Sequence, residues 1–131
     1  MRVLLDTHAF LWADTDPSRL GDQRAVVEHG STELLVSAAT SWEIAIKFGL
    51  GRLELPATAA QYVTDAIREL GATPVAVEHA HALAVATLPA HHRDPFDRLL
   101  IAQARLLDTP VVTADRAFAA YDVEVLAISA V

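Results

Sequence analysis

The sequence has no cysteine, which excludes disulfide bonds and thiolate chemistry and makes the cytoplasm the expected location. It has no apolar run of the roughly 18 residues that cross a membrane, and its start, MRVLLDTHAF, does not have the form of a secretory signal. Basic residues are few, because 10 Lys and Arg are opposed by 17 Asp and Glu, giving a formal net charge of −7. Binding to nucleic-acid phosphates therefore needs local basic residues or bound cations.

What the sequence has is enough apolar residues for a core. Of its 131 residues, 53% are hydrophobic, which predicts one globular domain spanning residues 1–131. Short apolar runs typical of buried parallel strands alternate with helical patterns. The predicted strands are 2–5, 33–37, 73–77, 109–113 and 123–128. The predicted helices are 18–29, 38–48, 57–70, 78–88 and 95–107, with a short helical turn at 115–121. This alternation predicts an α/β sandwich with helices on both faces of a parallel sheet.

Four acidic residues fall where such a sheet could bring them together. Asp6 directly follows the first predicted strand, and Asp115 lies two residues after the fourth. Asp97 is in the first turn of the helix at 95–107, and Glu43 is inside the helix after the second strand. Ligands bind beyond the carboxyl ends of the strands in open parallel sheets. We therefore expect the four carboxylates to share one edge.

Each acid also has a structural explanation that involves no ligand. Asp94, followed by Pro95, is a good helix N-cap, and Asp97 could then simply favour the helix dipole. Because Asp94 already provides the cap, a second acid beside apolar residues suggests a function for Asp97.

The other acids have comparable alternatives. Glu43 could pair with Lys47 one helical turn later. Asp115 could cap the short turn after it, and Asp6 could cap a turn that begins at Thr7. An acid that ends a buried strand nevertheless needs hydrogen-bond donors or a cation, because an unpaired buried charge is costly.

The joint pattern points to metal chemistry. Four carboxylates at one edge repel each other and raise their pKa values unless a cation is bound. Hard oxygen ligands suit Mg²⁺ or Mn²⁺, and the matching reaction is metal-assisted hydrolysis of a phosphodiester. Basic residues close in sequence to the acids could contact the phosphates: Lys47, Arg93, Arg98 and Arg116.

At this point the sequence resembles a known family. The segments LLDTHAFLW, VSAATSWEIAIKFGLGRLEL, HHRDPFDRLLIAQA and VVTADRAFAAY, in this order, are similar to those of PIN-domain ribonucleases, and in particular of VapC-type toxins. The likeness covers residues 2–126. It implies a three-layer α/β/α fold with a parallel sheet of about five strands. It also implies an acidic pocket that binds Mg²⁺ or Mn²⁺.

The resemblance also implies roles for particular residues. Asp6 and Asp97 match the most direct metal ligands, and Glu43 and Asp115 complete the pocket directly or through water. Thr113 matches the family's hydroxyl residue beside the fourth acid, where it would bind a carboxylate or water.

Asp94 belongs to the RDPFD variant of one subgroup, which gives it a supporting position next to the pocket. Arg98 follows the same motif and is a second supporting candidate.

The family implies three partners, namely an RNA substrate, a VapB-like antitoxin and a second copy of the chain. An exposed apolar groove could hold the antitoxin, and the candidates for it are Phe10, Leu11, Trp12 and Phe48. Each of these residues could instead belong to the core.

Two other functional classes fit parts of the pattern. A phosphoacceptor signalling domain also has an acid after a strand, but it has paired acids after the first strand where this chain has one. A non-catalytic RNA-binding module would gain from losing the four acids. The adjacent His91 and His92 are expected to line an RNA path or to be solvated.

Overall fold

The computed structural model describes residues 1–129, which form a five-stranded sheet with helices on both faces. All strand pairs are parallel, and the strand order is β3-β2-β1-β4-β5. The strands are β1 (Arg2–Leu5), β2 (Glu33–Ser37), β3 (Thr73–Val75), β4 (Val111–Thr113) and β5 (Val125–Ala127). The predicted parallel sheet is confirmed, although its last three strands are shorter than the apolar runs suggested.

Two α-helices follow each of the first three strands, and a 3-10 segment follows the fourth. The α-helices are α1 (Thr7–Thr15), α2 (Arg24–Glu28), α3 (Ala38–Gly49), α4 (Ala59–Leu70), α5 (His79–Ala84) and α6 (Pro95–Leu106). The 3-10 segments are Pro17–Gln23, Val85–Thr87 and Arg116–Ala120. Among residues 1–129, no helix combines the length and the apolar character needed to cross a membrane.

Alternating residues of β1 separate the core into two clusters. Val3 and Leu5 face one cluster, which includes buried residues of α1 and α4. Leu4 faces the other cluster, to which α6 contributes most of the buried helical residues. This arrangement follows from the two-residue period of a strand, in which successive side chains point to opposite faces. The predicted three-layer α/β/α sandwich is therefore confirmed.

The segment between β1 and β2 differs most from the sequence prediction. The pattern at 18–29 predicted one helix, but that stretch contains a 3-10 segment, a break at Gly21 (φ 54°) and then the short α2. Helix α1, which the sequence analysis missed, begins immediately after Asp6. The left-handed backbone at Gly21 interrupts the longer helix, because a regular α-helix needs negative φ throughout.

The two central strands bring distant residues to one edge of the sheet. Leu5 of β1 is in register with Val112 of β4, and the backbone N–H of Asp6 donates to the carbonyl of Val112. Asp6 and Thr113 are therefore neighbours at the carboxyl ends of adjacent strands, although 107 residues separate them in sequence. The candidate site lies at this edge.

Candidate functional site

Asp6 is buried at the end of β1, and its carboxylate accepts hydrogen bonds from two other elements, α1 and β4. One carboxylate oxygen accepts a hydrogen bond from the N–H of Ala9, which makes Asp6 the N-cap of α1. The other oxygen accepts from the Thr113 hydroxyl at 2.6 Å. Burial raises the pKa of Asp6 despite these hydrogen bonds, and the charge of Glu43 raises it further. The residue is therefore both a helix cap and a carboxylate short of positive charge.

Glu43 is buried on α3, and its two carboxylate oxygens have different partners. One accepts from the Thr7 hydroxyl at 2.6 Å, and the other pairs with the ammonium of Lys47. The Glu43 side chain is 4% exposed and that of Lys47 is 40% exposed. The i, i+4 pair considered in the sequence analysis is present, but it connects a buried acid to solvent and does not lie on a solvated face.

Asp97 lies one turn into α6, and its carboxylate is the least compensated of the four. Asp94 caps the helix by accepting from the N–H groups of Phe96 and Asp97, which confirms the predicted cap. Among residues 1–129, no hydrogen bond to the Asp97 carboxylate is found. Burial raises the pKa of Asp97 to about 7, and the charges of Asp94, Asp6 and Glu43 contribute in the same direction.

Asp115 is the most exposed of the four acids, with a side chain that is 41% exposed. It accepts hydrogen bonds from the N–H of Ala117 and from Nε2 of His92, while its own N–H donates to the Thr113 hydroxyl. Burial acts to raise the pKa of Asp115, but the hydrogen bonds from His92 and Ala117 outweigh it, so the pKa is lowered. Asp115 therefore remains ionised more readily than Asp6 and Asp97, whose pKa values are raised.

These groups converge on one pocket. One ligand atom from each of His92, Asp97 and Asp115 lies within 4.8 Å of the other two. Asp6 and Glu43 are close enough for their charges to raise the pKa of Asp97. The donor set is mainly carboxylate oxygen, which fits a hard divalent cation such as Mg²⁺ or Mn²⁺. A cation here would relieve the repulsion that raises these pKa values.

The basic candidates lie in several places. The Arg98 guanidinium donates to the backbone carbonyls of Val85, Leu88 and Pro89 and so connects α6 to the preceding segment. These carbonyls are neutral, so the guanidinium keeps its charge, and among residues 1–129 Arg98 forms no ion pair with the four acids. Arg93 and Arg116 are exposed, and neither takes part in an ion pair within the described chain.

The four residues suggested for an apolar groove differ in how deeply they are buried. Phe10 is fully buried in the core, so of the two alternatives for this residue the core is confirmed and a place in an exposed groove is excluded. Leu11, Trp12 and Phe48 are half-buried. The exposed large apolar residue closest in sequence to an acid is Trp42, which is 60% exposed and contacts the Phe96 ring edge-on.

His92 is the site residue that the sequence analysis missed. It was expected to line an RNA path or to be solvated, but its side chain is only 8% exposed and lies between Asp115 and Tyr121. Its neighbour His91 is exposed. Adjacent histidines in a loop have no periodic pattern that would show which ring is buried. The partners of His92 lie 23 and 29 residues later in the chain, so they could not be found from the sequence.

Comparisons with known proteins identify relatives of this chain. A family model described as PIN domain matches residues 3–124. Two relatives from Mycobacterium tuberculosis are named ribonucleases. Ribonuclease VapC16 is 44% identical over 62 residues, which are 47% of this chain and 44% of that protein. This chain therefore spans less than half of VapC16 in the match. Ribonuclease VapC22 is 32% identical over 117 residues, which are 87% of each protein.

A solved structure shares the fold over nearly all of the chain. The crystal structure of VapBC2 from Rickettsia felis, bound to a DNA fragment from their promoter, has a TM-score of 0.72. The match covers 98% of this chain and 100% of that chain at 11% identity. At this identity the likeness shows the fold alone.

Proposed function

Because this chain belongs to the PIN domain family, we propose that it is a divalent-metal-dependent endoribonuclease that acts as the toxin of a toxin–antitoxin pair. The observation that carries the proposal is the group of under-compensated carboxylates at the carboxyl edge of the sheet. Asp97, with its pKa raised to about 7, lacks a hydrogen-bond partner within residues 1–129 and lies next to Asp115 and His92. A purely structural pocket would gain nothing from this repulsion.

Asp6 and Asp97 would hold the cation directly. Glu43 and Asp115 would complete the site, directly or through water. This division rests on the family resemblance, because Asp6, Glu43 and Asp115 each have partners on both carboxylate oxygens. When bound, Mg²⁺ or Mn²⁺ would activate water and offset charge on the phosphate oxygens. Thr113 supports this role of Asp6, because its hydroxyl fixes the carboxylate that ends β1.

The protein's own cations would complete the electrostatics around the phosphate. Lys47 compensates Glu43 and, being 40% exposed, would also be within reach of a phosphate at the edge of the pocket. Arg93 and Arg116 directly adjoin Asp94 and Asp115 in sequence and are free to contact the RNA backbone. Together with the bound ion, they would overcome the repulsion expected from a net charge of −7.

The proposed partners are a VapB-like antitoxin and a second copy of this chain. The names of VapC16, VapC22 and VapBC2 support the antitoxin, and homodimerisation rests on the family resemblance. Trp42, Ile46 and Leu50 expose apolar surface on and just after α3, the helix that carries Glu43. An antitoxin that covers this surface would also block the acidic pocket. The cytoplasm, where RNA and antitoxin are made, would be the site of action.

The direct test is cleavage of labelled RNA by wild type, Asp6→Asn and Asp97→Asn in Mg²⁺, in Mn²⁺ and in EDTA. We expect wild type to cut only with metal. We expect each variant to lose about a hundred-fold or more, because the ion supplies several kcal/mol of transition-state stabilisation. Asp108→Asn is the matched control, because Asp108 is exposed just beyond the opposite end of α6.

The outcomes separate the functional classes. Equal cleavage by wild type and both site variants would refute the catalytic assignment. Metal-independent RNA binding without cutting would indicate a binding module. In a separate incubation, transfer of the phosphoryl group of acetyl phosphate to Asp6, with release of acetate, would indicate a phosphoacceptor domain. The toxin role has its own test: induced expression should stop growth for wild type but not for Asp97→Asn. Normal growth with active nuclease at high level would contradict it.

A further inference from the structure

His92 occupies a fixed position behind the exposed carboxylate of Asp115. Nε2 of His92 is 2.9 Å from Oδ2 of Asp115, and Nδ1 is 3.2 Å from the Tyr121 hydroxyl. The imidazole stacks on the Tyr121 ring at 5.4 Å between centroids and 24° between planes. It also contacts the Phe118 ring edge-on at 5.3 Å. Two rings and two hydrogen bonds therefore determine how His92 is oriented.

The hydrogen bonds also determine which ring nitrogen carries the proton. The backbone N–H of His92 donates to the Tyr121 hydroxyl oxygen at 2.8 Å, so the phenolic proton is available for a different acceptor. The Nδ1 atom of the same residue is the acceptor within reach. In a neutral imidazole the remaining proton is then on Nε2, which donates to Asp115.

This arrangement limits the freedom of a carboxylate that would otherwise be mobile. The side chain of Asp115 is 41% exposed, so burial alone does not fix its rotamer. Its Oδ1 accepts from the N–H of Ala117, and its Oδ2 accepts from His92. With both oxygens held, the carboxylate stays within 4.8 Å of a ligand atom of Asp97. A group that orients a metal-binding carboxylate in this way raises metal affinity without touching the substrate.

We propose that His92 is a positioning residue that holds Asp115 toward Asp97, and that Tyr121 sets the ring tautomer of His92 needed for this. The inference deepens the proposed function, because it concerns the same pocket, but it rests on separate contacts. The 3-10 segment Arg116–Ala120, which Asp115 caps and Tyr121 follows, places Phe118 and Tyr121 against the imidazole.

The first test measures Mn²⁺ affinity by calorimetry for wild type, His92→Ala and His92→Gln. We expect His92→Ala to weaken Mn²⁺ binding by about 10- to 100-fold, the range seen for residues that orient metal ligands. His92→Gln should recover part of the affinity, because its amide N–H can donate to Asp115. His91→Gln is the matched control, because His91 is exposed and meets only the edge of the Tyr121 ring.

Steady-state cleavage distinguishes positioning from a general structural effect. At saturating metal we expect His92→Ala to lower kcat with little change in KM for RNA, and circular dichroism should show the wild-type fold. Unchanged Mn²⁺ affinity and unchanged kcat in a folded His92→Ala protein would overturn the proposal. Equal losses in the Ala and Gln variants would also overturn it, because they would show that the Nε2 donor is not what matters.

The tautomer is tested by ¹⁵N NMR of the neutral imidazole in the metal-free protein. Wild type should show a protonated Nε2 and an unprotonated Nδ1 for His92, and Tyr121→Phe should shift the population toward the other tautomer. A wild-type ring protonated on Nδ1 would refute the assigned role of Tyr121. Because NMR and calorimetry need no RNA, a protein that passes both tests but cuts no RNA would refute the proposed function and leave this inference intact.

Discussion

Replacing Asp97 by Asn should stabilise the metal-free protein while abolishing its activity. Asn has nearly the same shape but cannot ionise. The pKa of Asp97 is raised from 3.8 to about 7, first by burial and then by Asp94, Asp6 and Glu43. At neutral pH the ionised Asp97 carboxylate therefore destabilises the folded state. The amide of Asn cannot ionise, so the variant does not have this destabilisation.

The magnitude follows from the interval between the two pKa values. An interval from 3.8 to about 7 corresponds to about 4 kcal/mol of destabilisation above pH 7. Asp97 is only half-buried, so solvent screening reduces this to roughly 2 kcal/mol. For a chain of this size we expect Asp97→Asn to raise the Tm by about 7 °C at pH 8.

The sign of the pH dependence is opposite to that of a salt-bridged acid. A carboxyl group whose pKa is raised on folding destabilises the folded state only where it is ionised. The destabilisation is absent below the unfolded pKa of 3.8, grows between 3.8 and about 7 and is complete above about 7. The stability difference between Asp97→Asn and wild type should therefore be large at pH 8 and close to zero near pH 4.

The assay is urea unfolding with and without Mn²⁺ at several pH values, with Asp108→Asn as the surface control. A ligand at a hundred times its Kd adds about 2.7 kcal/mol to the folded state, so Mn²⁺ should stabilise wild type and leave Asp97→Asn almost unchanged. The reasoning is refuted if Asp97→Asn lowers stability at pH 8, or if its effect is the same at pH 4 and pH 8.

Three further substitutions test the cap of α6, the hydrogen bond to Asp6 and the core. In the Asp97→Asn background, where Asp94 no longer repels an ionised Asp97, Asp94→Ala should lower the free energy of unfolding by about 1 kcal/mol through loss of the α6 cap; an unchanged urea midpoint would contradict this. Thr113→Val removes the hydroxyl that donates to Asp6 and should further raise the pKa of Asp6, which NMR titration of the metal-free protein would show; an unshifted pKa would count against the assignment. Phe10→Ala should lower the free energy of unfolding by about 3–5 kcal/mol, because Phe10 is fully buried. A loss of less than about 1 kcal/mol would contradict this burial and favour a place in the surface groove.

The fold could be predicted because its signals are local. Continuous apolar runs mark strands buried on both faces, and each of the five predicted strands is present. The cap at Asp94 could be predicted for the same reason, since Asp-Pro before an apolar run is a signal contained within a few residues. Where the local signal was ambiguous, as at 18–29, a backbone break at Gly21 decided the outcome.

His92 marks the limit of this reasoning. Its partners, Asp115 and Tyr121, lie on or next to the 3-10 turn at Arg116–Ala120, far from His92 in sequence. Nothing in the pair His91-His92 indicates which ring points inward. The same limit explains Arg98, whose position beside Asp97 in sequence suggested the pocket, while helical geometry turns it toward the carbonyls of Val85 and Leu88.

By itself, the sequence determined the alternation of strands and helices and the identity of four acids at positions where a parallel sheet would collect them. Apolar periodicity and strand ends are properties of neighbouring residues, so they can be found without coordinates. Only the tertiary structure decided which groups share the pocket and in what electrostatic state. The pKa of Asp97 depends on Asp6 and Glu43, which lie 91 and 54 residues earlier in the chain, and burial and Coulomb energy depend on distances in space.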